Sequence, residues 1–416
     1  MISRRDFTFG WLAVGGVTLL GRSACAAATG ATLPPWSPGE LDIHHIDTGR
    51  GNATFLIGPD GTTLLIDCGA SNDGLDVSAP CRPDTSRRPG EWVARYALHQ
   101  ARTAGRDTLD YLIVTHIHPD HVGDIPPGMV PTGGADFFAT GVSQVDRFMP
   151  VAIVVDRSYP DYGALRAPDA PFAANYVAWL DARRRVGRRV ERLDVGSDRQ
   201  IRLRSSARYP GFSVRALAGN GRVWTGSGAT NQSLFPDLTN LPADDRPSEN
   251  ACSIALRVSH GRFSYFSGGD LTADTRDGRL PWMDVEAPVV RAAGQVEVAV
   301  ADHHGYFDAC GPEFTKVLDA QAYVIPAWHI TQPGSAQIER LIGAWPGERA
   351  RDVFAIEMLP ANRLFNSRWV RQIRSMQGHV VIRVASDGRS YRIFVSDSSR
   401  ERGSVTLVCG PYLCRN

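Results

Sequence analysis

The chain is short of several things, and each shortage closes off a class of protein. It has almost no net charge: 45 Lys and Arg stand against 44 Asp and Glu, leaving +1 at neutral pH. No broad field therefore draws it to nucleic acid or to an anionic membrane, although a local basic patch is compatible with that balance. Its 7 cysteines include no C-x-x-C pair, which excludes a four-cysteine structural zinc site. The apolar run at residues 9–20 is well short of the roughly 20 residues of a membrane span. Internal repeats, low-complexity tracts and a nucleophile elbow are missing too, so neither a solenoid nor a serine hydrolase finds support.

What is present reads as globular. Hydrophobic residues make up 43% and charged residues 21%, the usual balance of a core-forming chain. A length of 416 residues gives room for one large two-layer domain with insertions or for two medium ones. Forty-one Gly and 27 Pro mark many turns and favour a loop-rich α/β fold over a helical bundle.

The N-terminus reads as an export signal. Ser3-Arg4-Arg5-Asp6-Phe7 is a twin-arginine signature, the apolar run follows it, and Ala24-Cys25-Ala26 offers an A-x-A cleavage site. The expected division is therefore a signal at 1–30, a folded domain at 31–400 and a tail at 401–416. The twin-arginine machinery is the expected export partner, with no integral span in the mature chain and a periplasmic or secreted destination. With Cys25 removed, Cys409 and Cys414 suit a small loop disulfide in the tail, and Cys68 with Cys81 is a second candidate pair.

Strand-like runs come quickly after the Pro34-Pro35 linker. Residues 41–47, 53–57 and 62–67 are apolar or alternating, separated by Gly49, Gly51, Gly58 and the Pro59-Asp60-Gly61 turn. His44 and His45 fall in the first of these, one facing in and one out. Residues 91–102 space Trp92, Val93, Tyr96 and Leu98 as a helix does, and 111–114 reads as a buried strand. Residues 126–148 read as a loop excursion and 152–156 as a strand. Residues 176–188 read as a helix, with Arg183, Arg184, Arg185, Arg188 and Arg189 on a solvated face rather than on phosphate. Strands at 254–258 and 263–266 flank Ser259-His260-Gly261 as a hairpin, which makes His260 structural. Further strands are expected at 296–301, 322–326 and 354–358, helix at 338–342, and a closing hairpin at 380–384 and 391–395. His99 and His379 look incidental. Two runs of strands with helices between them predict an α/β sandwich of two mixed sheets covered by helices.

The chemistry concentrates in His116-Ile117-His118-Pro119-Asp120-His121. A strand ending at Thr115 delivers His116 and His118 to the same side, and Asp120 and His121 follow a proline that suits a helix start. Three imidazoles and one carboxylate within six residues form a nitrogen-and-oxygen ligand set for Zn²⁺ or another borderline divalent ion. The chain has only 11 His in all, so three in six positions are hard to read as an incidental polar turn.

This run resembles the H-x-H-x-D-H signature of the metallo-β-lactamase superfamily. Asp67, ending Leu64-Leu65-Ile66-Asp67, is similar to that family's buried orienting aspartate. Asp270 in Ser267-Gly268-Gly269-Asp270 is similar to its bridging carboxylate, and His303-His304-Gly305 to its last histidine motif. The likeness spans roughly residues 41–395 and implies a four-layer αββα sandwich that holds two divalent ions, zinc foremost, with Mn²⁺ or Fe²⁺ as alternatives. Residues 46–53, Ile46-Asp47-Thr48-Gly49-Arg50-Gly51-Asn52-Ala53, resemble more narrowly the hydrolase domain of ComEC-type competence proteins and related choline-phosphate esterases. Asn52 departs from that pattern, which has Asp there, and the membrane channel of competence proteins is absent.

The resemblance implies one ion at His116, His118 and Asp270, and another at Asp120, His121, Asp270 and one of the paired histidines. His304 is the expected ligand, and His303 the expected substrate contact or proton carrier. Asp120, His303 and Asp270 are thereby the expected catalytic set, with Asp67, Asn250 and His329 behind them or at the pocket rim. Many relatives carry a further histidine some two dozen residues before the bridging aspartate; this chain has none there, and the Asn250/Ser253 segment takes its place. The implied chemistry is hydrolysis by a water that paired cations acidify. A phosphoester of a small molecule or polymer is the leading substrate, with nucleic acid only as a substrate. A lactam, lactone or thioester carbonyl is the second reading, and a metal-binding interaction protein the non-enzyme one.

Overall fold

In the computed structural model, which describes residues 24–28, 30–74, 76–131, 136–345 and 348–415, side-chain alternation decides what each strand covers. In the strand Thr63–Ile66, Leu64 and Ile66 point to one face and Leu65 to the other, and all three are buried. The first face meets a second sheet: Ile43, Leu56, Ile66 and Ile113 share a core with Val214, Leu256, Tyr265 and Val298. The other face lies under helices: Phe55, Leu65 and Leu112 pack with Val93 and Ala97 of the helix Pro89–Ala101 and Trp179 of the helix Pro171–Arg185. Across the molecule Phe266, Ala299 and Tyr323 repeat the arrangement with Val289, Phe314 and Leu341. Helix, sheet, sheet, helix is the resulting layer order, the expected four-layer sandwich.

Each sheet is mixed. The larger has ten strands among the described residues. Its parallel part runs through Thr63–Ile66, Leu109–Ile113, Val151–Asp156 and Arg189–Arg192. The smaller has eight, with a parallel part from Phe263–Ser267 through Val298–Val300 and Ala322–Ile325 to Asp352–Ala355. Among the described residues no helix is long and apolar enough to cross a membrane.

Several sequence expectations are corrected. Residues 401–416 are not a tail, because Val405–Leu413 is a strand that pairs with Ser390–Ser396 on one side and Cys25–Ala27 on the other. Gly410 and Pro411 in its middle hid it from pattern reading. Cys409 is disulfide-bonded to Cys25, its register partner, and Cys414 is free. Extended chain carries Cys409 and Cys414 roughly 16 Å apart, well beyond the span of about 7 Å that a disulfide bridges. Cys68 and Cys81 are free as well. Residues 25–27 thus belong to the sheet rather than to a detached leader, whereas the twin-arginine signature and the apolar run at 9–20 lie outside the described residues.

Within the supposed loop 126–148 stands the helix Gly141–Phe148, started by a capping box between Thr140 and Ser143. A Ser in the place usually held by Glu or Gln concealed that start. His44 and His45 do face opposite ways, but both are buried because helices and the second sheet cover the two faces. His379 is not incidental, since its Nδ1 accepts the Asp47 N–H at 3.0 Å. Arg183 leaves the solvated face of its helix to pair with Asp146 at 2.7 Å. His260 ends the expected hairpin with Nε2 3.0 Å from the Gly39 carbonyl.

Candidate metal centre

Most of the expected site residues follow the carboxyl ends of parallel strands, where open α/β sheets leave a crevice, whereas Asn250 lies in a short helix before the strand Ala255–His260. Asp67 follows Thr63–Ile66, His116 follows Leu109–Ile113, Asp270 follows Phe263–Ser267, and His303 and His304 follow Val298–Val300. Close backbone approach seats the histidine run. A Cβ on Gly69 would stand 1.5 Å from the Asp120 carbonyl oxygen, so only glycine fits there. Asn52 N–H donates to that same oxygen at 2.8 Å.

Asp120, His121, Asp270 and His304 bring one ligand atom each to within 4.8 Å of one another. His304 Nε2 lies 2.9 Å from Asp120 Oδ2 and 3.4 Å from Asp270 Oδ2. His121 Nε2 lies 3.5 Å and 3.2 Å from the same two oxygens. Ligands at about 2.1 Å around a tetrahedral ion stand roughly 3.4 Å apart, so these spacings are those of a cation's first shell. The second set meets at the same carboxylate. His116 Nε2 is 3.1 Å from His118 Nδ1 and 3.7 Å from Asp270 Oδ2. Asp270 Oδ2 therefore faces both groups.

The surrounding bonds leave the right atoms free. Asp67, held in the left-handed region at φ 58°, accepts from Thr115 N–H and Oγ1, both at 2.8 Å, and from His121 Nδ1 at 2.8 Å. That fixes the His121 ring and leaves its buried Nε2 without a hydrogen-bond partner among the described residues. His304 Nδ1 donates to the Pro326 carbonyl at 2.9 Å, which again turns Nε2 inward. Asn52 Nδ2 donates to Asp67 Oδ2 at 3.3 Å, so this position supplies a donor to the carboxylate that fixes His121.

Electrostatics divide the ligands into two kinds. Burial pushes His116 and His118 below the usual imidazole range, so both offer neutral lone pairs. Burial acts the same way on His304, yet Asp270 and Asp120 lift it to about 9. Asp270, Asp120 and Asp67 likewise raise His121 against its burial. In turn these imidazoles hold the buried Asp120 and Asp270 well below the carboxylate range. Protons thus sit where a divalent ion would replace them, and the donor set fits the expected metals.

The two neighbouring histidines separate. His303 Nδ1 is 2.7 Å from Asp308 Oδ1, and its Nε2 is 3.2 Å from Asn250 Nδ2 and 3.8 Å from Asp270 Oδ2. It is the more exposed of the pair and lies outside the four-ligand cluster. His329 turns to Thr331 Oγ1 at 2.8 Å and makes no hydrogen bond with a cluster residue.

Two functional neighbours escaped sequence reading. One is Asp308, five residues past His303. The other is Glu249, whose Oε1 accepts the Ile117 N–H at 2.8 Å, between His116 and His118. Glu249 is also clamped by Arg157, at 2.7 Å through both Nε and Nη2. Its position directly before Asn250 was the only available signal.

Sandwich and site together define a metallo-β-lactamase fold with a candidate metal centre. Residues 47–127 match the family model described as the metallo-beta-lactamase superfamily. The matched stretch holds Asp67 and the whole histidine run but stops short of Asp270 and His304. Unliganded yeast PDE1 is similar at 12% identity and a TM-score of 0.36, covering 82% of this chain and 98% of that chain. The metallo-beta-lactamase fold protein YhfI from Bacillus subtilis is similar at 11% identity and a TM-score of 0.31, covering 68% of this chain and 85% of that one. The short form of human tRNase Z is similar at 10% identity and a TM-score of 0.28, covering 68% and 91%. A search of curated proteins finds no match to the chain.

Proposed function

We propose that the chain is an exported, metal-dependent hydrolase that cleaves a phosphodiester at a two-ion centre. The observation that carries this reading is the shared Asp270 Oδ2, faced by His121 and His304 on one side and by His116 on the other. Bound there, two divalent ions would supply an acidified water and neutralise charge on the substrate oxygens.

The chain's own groups do the rest. Asp67 and the Pro326 carbonyl lock His121 and His304 with Nε2 inward. Asp308 holds Nδ1 of His303, which presents Nε2 toward Asp270 and the crevice. In that position His303 can hand a proton to a departing alkoxide oxygen, the step that limits ester cleavage when the leaving group is poor. The side of His116 and His118 carries no third histidine, and that leaves room for a non-bridging phosphoryl oxygen. For the same reason the phosphodiester reading is preferred to a lactam or thioester carbonyl. Zinc fits the ligand set best, with Mn²⁺ and Fe²⁺ as alternatives. Export rests on the twin-arginine signature, and the Cys25–Cys409 disulfide suits an oxidising compartment.

Metal analysis of the purified protein should find about two divalent ions per chain. Turnover of bis-p-nitrophenyl phosphate or p-nitrophenylphosphocholine that disappears in Asp270→Ala supports the reading. Turnover of nitrocefin or lactones alone, or a protein without metal, overturns it.

A further inference from the structure

A cavity of about 170 Å³ opens where the helices Pro89–Ala101 and Gly141–Phe148 begin. It shares no residue with the metal cluster, but its wall continues the segments packed around that cluster. Ala70 N–H donates to the Pro119 carbonyl at 3.0 Å, and Asp124 N–H to the Ala70 carbonyl at 3.0 Å.

Three arginines line this cavity against one carboxylate, Asp124. Arg87 is occupied by Glu91. Arg50 donates only to the carbonyls of Ala79 at 3.1 Å and Asp73 at 3.3 Å, and Arg88 reaches the Ala139 carbonyl at 3.4 Å. Neither has a carboxylate within 4.0 Å among the described residues. The helix behind them has no side-chain cap, and Pro89 has no N–H, so Gly90 carries the first amide that helix can offer. Two guanidinium groups without carboxylate partners, above a helix start, favour an oxyanion.

Gln144 narrows the choice. It is only 8% exposed, lines the cavity, and its Oε1 has no donor among the described residues. That oxygen sits over the helix start, 2.9 Å from where a Cβ on Gly90 would stand. Gln144 Oε1 and the Asp124 carboxylate both accept hydrogen bonds, so an anion with only lone pairs would leave the first unsatisfied and be repelled by the second. A phosphate that keeps a proton meets both demands: its bare oxygens face the arginines and its P–OH faces Gln144 or Asp124. Sulfate, which has no proton near neutral pH, meets only the first.

We propose that this cavity is a binding site for a protonated phosphate group, either free hydrogen phosphate or the phosphoryl end of a monoester. It stands independently of the reaction proposed for the metal centre.

Calorimetric titration of the metal-loaded protein with inorganic phosphate, methyl phosphate and sulfate tests it. Inorganic phosphate should saturate a single site, and sulfate should bind at least tenfold more weakly. Methyl phosphate binding as tightly as inorganic phosphate identifies a monoester site; much weaker binding identifies a free-phosphate site. Arg50→Ala/Arg88→Ala should lose phosphate affinity at least tenfold with metal content unchanged. Arg88→Gln serves alone if the double variant unfolds, and Gln144→Leu should narrow the gap between phosphate and sulfate. Equal affinity for sulfate overturns the proposal. So does phosphate binding that survives the arginine substitutions but vanishes on chelation, since that places phosphate on the metals. Failure of the hydrolase reading, by contrast, would leave these titration curves as they are.

Discussion

Glu249 offers the sharpest test of how the site is held. Its carboxylate accepts from the amide between His116 and His118 and from two nitrogens of Arg157, whose side chain is fully buried. Burial raises the Glu249 carboxyl above its ordinary range even with Arg157 alongside, so desolvation offsets much of the pair's attraction. The pair as a whole therefore adds little stability, but removing one partner is costly. Glu249→Ala leaves a buried guanidinium with only the carbonyls of Leu165 and Arg166 and Asn220 Oδ1 as hydrogen-bond acceptors, and strands the Ile117 N–H. Removing one member of a buried pair costs about 3–5 kcal/mol. With an unfolding entropy of about 2.1 cal/mol/K per residue over 416 residues, that is a fall in Tm of roughly 3–6 °C.

The effect on metal should be one-sided. Of the segments that carry candidate ligands, the Glu249 carboxylate bonds only the one between His116 and His118, whereas Asp67 and Pro326 hold His121 and His304. Loss of an outer-shell partner typically weakens metal binding about 10–100-fold. Competitive chelation of Glu249→Ala should therefore release one ion per chain early and the other at the wild-type chelator concentration. Glu249→Gln keeps an acceptor for Ile117 and should fall between. If Glu249→Ala melts within 1 °C of wild type and releases both ions as wild type does, the loop is not held by this carboxylate.

Further outcomes follow from other contacts. His303→Ala should lower kcat about 100-fold with both ions retained, whereas His304→Ala should drop metal content toward one ion; the reverse pattern would exchange their roles. Burial, with Glu357 nearby, raises Asp47 to about 7, so between about pH 4 and 7 the folded state holds a proton that the unfolded chain has released. Stability should fall as pH rises through that window, and Asp47→Asn should flatten the trend in urea midpoints at pH 5 and 8; an unchanged slope would refute this. After expression in a host with twin-arginine machinery, intact mass before and after reduction should show Cys25 retained and linked to Cys409, and a mature N-terminus beginning after Ala26 would contradict that pairing.

The fold was legible wherever local pattern and tertiary burial agree. Alternation at Leu64, Leu65 and Ile66 placed a strand correctly because both faces of that strand are covered by ordinary apolar neighbours. The pattern failed where pairing overrides composition. Val405–Leu413 contains Gly410 and Pro411, yet Tyr412 stacks on Tyr391 at 4.7 Å and the strand closes the sheet between two partners. Nothing within a few residues of Cys409 could reveal that its disulfide partner lies 384 positions away.

The candidate site divides in the same way, between groups placed to hold a metal and groups that aim them. The candidate ligands in this run are His and Asp crowded together, so His116 to His121 advertise themselves in six residues. Aiming groups need only one well-placed oxygen. Glu249 acts across 132 positions, and Pro326 contributes nothing but its backbone carbonyl. His303 and His304 show the consequence most clearly. They are adjacent and identical in sequence, and both have positive φ. What each ring meets tells them apart: Asp308 at Nδ1 and Asn250 at Nε2 for His303, a carbonyl at Nδ1 and Asp120 with Asp270 at Nε2 for His304. An outer acceptor at Nδ1 fixes each ring, but its kind does not decide the role, since His121 sits in the cluster with the Asp67 carboxylate behind it. The proposed division of labour between ligand and proton carrier would therefore be set by where each Nε2 points, a property of the folded loop that no spacing of histidines encodes.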